Sequence, residues 1–126
     1  MLNTEDLYNK ILDTPLLCGR FELVEKTIFW NLYDGFEIEI SIEPPDSCFE
    51  IQRRWLKNIC IPLTHWHPDE DEVYSQVCNI GLKGNVLVIR ENWFGVSILY
   101  MGDKEKCPYP ADKKWSWGKI YYLLAK

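Results

Sequence analysis

Residues 36 to 43 read Phe-Glu-Ile-Glu-Ile-Ser-Ile-Glu, and this alternation constrains the fold more than any other stretch of the chain. Successive side chains of a β-strand point to opposite faces. Phe36, Ile38, Ile40 and Ile42 therefore define a core face, and Glu37, Glu39, Ser41 and Glu43 an acidic row turned to water. The strand is bounded on one side by Asp34-Gly35, a hairpin turn in which glycine accepts positive φ, and on the other by Pro44-Pro45-Asp46. A strand dry on one side and wet on the other asks for antiparallel neighbours and one covering layer.

The neighbours are legible nearby. Phe21 with Leu23, and Ile28 with Trp30 and Leu32, mark two strands before the Asp34-Gly35 turn. Residues 48 to 63 allow two readings. Phe49, Ile51 and Trp55 fit a strand that turns at Lys57-Asn58; Ser47 with Glu50 fits a capping box opening a helix with Ile51, Trp55 and Ile59 on one face. Two strands are the preferred reading. Further on, Val86–Glu91 and Val96–Met101 form a hairpin around Asn92-Trp93-Phe94-Gly95, and Trp117–Leu124 is a last strand. The stretch from 102 to 114, with Gly102, Pro108 and Pro110, reads as a loop tied down by Tyr109.

Two helices complete the inventory. Residues 4 to 13 follow a cap at Asn3 or Thr4, carry Leu7, Tyr8, Ile11 and Leu12 as an apolar stripe, and stop at Pro15. Residues 68 to 79 open on Pro68, place Asp69, Glu70, Asp71 and Glu72 in the first turn where the helix dipole favours negative charge, and turn Val73, Val77 and Ile80 inward, with Tyr74 and Cys78 beside them. Gly81 or Gly84 ends that helix. The fold class is α+β, a mostly antiparallel meander sheet with two helices at about residues 4–13 and 68–79, arranged as one sheet under a helical layer.

A chain of 126 residues is one domain, and 47% hydrophobic with 26% charged residues is the composition of a soluble globular protein. The net charge of −5 argues against a nucleic-acid partner, which needs a basic footprint. The charge is uneven: residues 1–72 carry 15 acids against 6 bases, and residues 73–126 carry 4 acids against 8 bases. Six Trp predict a large aromatic core or contact face. The five cysteines, 18, 48, 60, 78 and 107, show no Cys-x-x-Cys spacing, and no leader is evident; thiols used as small hydrophobes in a reducing cytoplasm are expected. No apolar run approaches the roughly 20 residues of a membrane helix.

Candidate chemistry concentrates around both histidines. Thr64-His65-Trp66-His67-Pro68-Asp69 resembles the His-x-His-x-Asp-His signature of metallo-β-lactamase-like hydrolases. That resemblance implies His65 and His67 as ligands of one zinc and Asp69 as a ligand of a second. Glu70 stands where the signature's last histidine belongs, and no third histidine exists in the chain. The expectation is therefore no metal and no cofactor, with His67 capping the helix start and His65 hydrogen-bonded in the core. A small metal-dependent hydrolase using His65, His67 and Asp69 is the alternative, and a purely structural domain is the third reading. Cys60 and Cys78 sit in apolar company and read as buried thiols rather than nucleophiles.

Two features suit a protein partner: the acidic row Glu37, Glu39 and Glu43, and the aromatic hairpin tip Trp93-Phe94. The stretch Leu63 to Arg90 and the ending Lys114-Trp115-Ser116-Trp117-Gly118-Lys119 resemble small bacterial proteins of the immunity-protein kind. Those proteins sit beside polymorphic toxins and neutralise them by direct binding. The resemblance implies a non-enzymatic cytoplasmic domain, and the acidic face implies a basic toxin domain as partner.

Overall fold

The computed structural model describes residues 3–43, 46–56, 59–109, 114–115 and 118–126, with Glu43, Trp55, Leu56, Lys114 and Trp115 described by their backbone only. The proposed turn at Lys57-Asn58, and Trp117, lie outside those residues.

The chain opens on α1 (Thr4–Leu12), capped by Asn3, whose side chain accepts from the Asp6 amide. Leu7 and Ile11 are buried. Leu12, expected on the same stripe, is 59% exposed and falls off the end of the buried face. Five strands follow in meander order: β1 (Arg20–Val24), β2 (Thr27–Asn31), β3 (Phe36–Glu43), β4 (Asp46–Leu56) and β5 (Ile59–Trp66). All pair antiparallel, and Asp46–Leu56 and Ile59–Trp66 form two strands, the preferred of the two readings. Gly35 takes φ +81° in the turn before β3.

The second helix differs from expectation at its start. Pro68 and Asp69 remain outside it, Glu70–Glu72 form a 3-10 turn, and α2 runs Val73–Gly81. The reason is a tertiary bond. Buried Ser47 of β4 donates its hydroxyl to the Pro68 carbonyl, which ties Pro68 to the first sheet, and Asp69 stays extended ahead of the 3-10 turn. The inward stripe of α2 is as read: Val73, Val77 and Ile80 are fully buried, and Tyr74 and Cys78 lie partly buried beside them.

After α2 come β6 (Asn85–Asn92), β7 (Gly95–Asp103), a 3-10 turn at Lys104–Lys106, β8 (Lys114–Trp115) and β9 (Gly118–Leu124). They form a second sheet in the order β7-β6-β9-β8, so the architecture is two antiparallel sheets rather than one sheet under helices. The stretch 102–114, expected as a loop, contributes the end of β7, the 3-10 turn and the start of β8. The cause of the second sheet is visible in β6, where Val86, Leu87, Val88 and Ile89 are all fully buried. A strand dry on both faces needs a cover on each side. Leu87 and Ile89 join α1, α2 and the inner residues of β2, β3 and β4 in the main core, while Val86 and Val88 pack with Ile120, Tyr100, Tyr109 and Tyr122 on the far side. Among the described residues no helix is long and apolar enough to cross a membrane.

Candidate functional site

The main core draws on the inner side chains of the first sheet alone, together with both helices and the second sheet. Among the described residues no helix or strand covers the outer face of β1–β5. That face is the candidate site. The strand registers align one residue from every strand in a single row: Glu22, Phe29, Glu39, Glu50 and His65. Flanking rows place Glu37 opposite Gln52 and Ser41 opposite Cys48.

Directly opposite residues in an antiparallel pair hold their Cβ atoms about 5 Å apart, and like charges there are destabilising. Glu39 and Glu50 are such a pair at the middle of the sheet. The Glu39 carboxyl is held above its ordinary pKa, first by burial among its neighbours, then by the Glu50 and Glu37 charges, with the Gln52 side chain offsetting part of the rise. The Cys48 thiol is pushed up by burial and by the Glu50 and Glu39 charges. A raised thiol is not a nucleophile at neutral pH, because only the thiolate attacks. Cys60 and Cys78 are free and half-buried rather than buried.

Both histidines lie at the end of this face, with ring centroids 5.5 Å apart and planes at 73°. His65 is exposed on the outer face rather than bonded in the core. His67 is exposed and does not cap α2; its Nδ1 lies 3.1 Å from the Ser47 carbonyl oxygen. Ser41, Asp46, Ser47, Cys48 and His67 line a shallow cleft there. Asp69 is exposed, in extended backbone ahead of the 3-10 turn. Among the described residues no three His, Cys, Asp or Glu side chains are gathered as a metal site.

The structure separates the two expected contact features. Arg53 alternates with Gln52 on β4 and points to the inner side, where it donates to Glu91 at 2.9 Å and to the Tyr121 hydroxyl at 2.8 Å. Trp93 borders a groove beside this ion pair, so the aromatic tip lies past the inner side of β4 and the acids lie on its outer side. At the tip Trp93 is 96% and Phe94 is 93% exposed. Glu43 keeps its place at the end of β3, paired with Asp46, while its side chain lies outside the described atoms.

Sequence reasoning missed Glu50 and Cys48. Their alternation with Phe49 and Ile51 was available, but the Ser47–Glu50 capping spacing competed with it, and the pairing with Glu39 depends on register. No protein-family model, curated protein or solved structure matches the chain.

Proposed function

We propose that this chain is a non-enzymatic protein-binding domain that presents the outer face of its first sheet to a basic partner. The observation that carries this is the pair Glu39 and Glu50, like charges placed opposite one another at the centre of an uncovered sheet. Such a pair costs the free fold some stability. A partner's lysine or arginine set between the two carboxylates converts that repulsion into attraction and steers the encounter. The resemblance to immunity proteins supplies the class of partner, a basic toxin domain in the cytoplasm.

The test is association kinetics. The probe is a basic partner pulled down with this chain from its source cell and then purified alone. Changing Glu37, Glu39 and Glu50 together to Gln should slow association at least tenfold at low salt and flatten its salt dependence, with the thermal midpoint unchanged or slightly higher. An association rate equal to the parent's at low salt would leave the acidic row as a solvated face.

A further inference from the structure

Arg53 is held on one edge and open on the other. Its Nη1 donates to Glu91 at 2.9 Å and to the Tyr121 hydroxyl at 2.8 Å, which commits both hydrogens of that nitrogen. Tyr121 is fixed in turn. Its ring meets Phe36 edge-on with centroids 5.4 Å apart, and the Lys119 ammonium sits 4.5 Å from its own centroid. A guanidinium has five N–H donors, so three remain, on Nε and Nη2. Among the described residues none of these three meets an acceptor, and neither nitrogen is buried without a partner. That edge of an arginine matches the two oxygens of a carboxylate.

Arg53 lines a groove with Glu91, Trp93, Lys119 and Tyr121, near the ends of β4, β6 and β9 where the two sheets meet. Its volume, about 470 Å³, is that of a small-ligand site. Two bases stand there against one acid, and exposed Lys119 has no carboxylate partner among the described residues. A single negative charge balances the groove, whereas a dianion would be repelled by Glu91. Trp93 adds an apolar plane that the fold itself does not use, being 96% exposed. The tip that carries it is braced, because the Asn92 side chain accepts from the Phe94 amide at 2.9 Å.

We propose that this groove binds a carboxylate attached to an aromatic group, the chemistry shared by a polypeptide C-terminus ending in an aromatic residue and by a free aromatic acid. The carboxylate takes the Nε–Nη2 edge of Arg53, the Lys119 ammonium adds a second cation, and the aromatic group packs on Trp93. Glu91 and Tyr121 hold the guanidinium before the ligand arrives, so less side-chain freedom is lost on binding. The groove lies on the inner side of β4, and the proposal is independent of the acidic face.

The test is a titration of the purified chain with N-acetyl-phenylalanine, followed by NMR at the Trp93 indole N–H and the Lys119 amide. Both signals should move and saturate, and N-acetyl-phenylalaninamide, which lacks the charge, should bind at least tenfold more weakly. Arg53→Lys keeps the charge, removes the fork and should weaken binding at least tenfold. Should that variant unfold, Trp93→Ala decides, because its side chain is exposed; followed at Lys119, it should bind at least fivefold more weakly. A parent whose signals do not move overturns the proposal. So does an amide that binds as well as the acid, or a Trp93→Ala variant that binds as the parent does. A pentapeptide ending in phenylalanine separates the two sources: tighter binding than N-acetyl-phenylalanine assigns the groove to a polypeptide C-terminus, and binding no tighter assigns it to the free acid.

Discussion

Gly81 shows how much one missing methyl can decide. In sequence it reads as a helix stop, and it is indeed the last residue of α2. Its tertiary role is larger: a Cβ there would overlap the six-membered ring of Trp30, the largest fully buried side chain among the described residues, whose indole N–H donates to the Cys18 carbonyl at 3.0 Å. Gly81→Ala is expected to lower stability by about 1–3 kcal/mol, as overpacking does, although alanine is the better helix former. A urea midpoint equal to the parent's would show that the ring can shift. Glu39 makes a second prediction, from the sign of its shift. Its folded pKa lies above the unfolded value, so the favourable contribution of its neutral form is present below the unfolded carboxylate range and is lost as pH rises through the folded value. At neutral pH the charged form therefore destabilises the fold. Glu39→Gln should raise the thermal midpoint at pH 7, with the gain shrinking towards about pH 4. A pH-independent difference between the two proteins would remove the cause assigned here. Neither effect is readable from residue type: one depends on Trp30, 51 positions away, and the other on a strand partner.

Elements were legible wherever periodicity and turn chemistry agree. The alternation of β3, the inward stripe of α2 and the two-residue turn between β6 and β7 stand where the residues put them. The start of α2 does not. Local signals at 68–72 favour a helix start, but the Ser47 hydroxyl ties the Pro68 carbonyl to the first sheet, and Asp69 stays extended. Trp66 joins these two elements. Its ring stacks on Phe49 with centroids 5.1 Å apart, and its indole N–H donates to Gln76 of α2 at 2.7 Å. Trp66→Ala should cost about 3 kcal/mol or more, since it removes both the stacked ring and the partner of a half-buried amide. Trp66→Phe should recover most of that loss by restoring the stack. An alanine variant as stable as the parent would mean the ring carries no packing load and would add Trp66 to the candidate contact residues.

For the molecule as a whole, the question is what joins two sheets into one unit. The Arg53–Glu91 ion pair bridges them, but both side chains are about one-third exposed, and such a pair contributes at most about 1 kcal/mol. The coupling is apolar: Ile38 and Ile40 of the first sheet, Leu87 and Ile89 of the second, and Val73 and Val77 of α2 share one buried cluster. Unfolding should therefore be a single transition, with Trp fluorescence and far-UV circular dichroism giving the same urea midpoint. Separate midpoints would show that the sheets are independent units. The sequence by itself determined most of the strands, the presence of both helices and the wet and dry faces of β3, because side-chain period and turn chemistry are local properties of the chain. Tertiary structure alone decided the rest. The two-sheet division arises because a strand buried on both faces needs partners supplied from distant segments. The row Glu22, Phe29, Glu39, Glu50 and His65 exists only through four registers, and a slip of one residue in any of them would turn its strand's side chains to the other face.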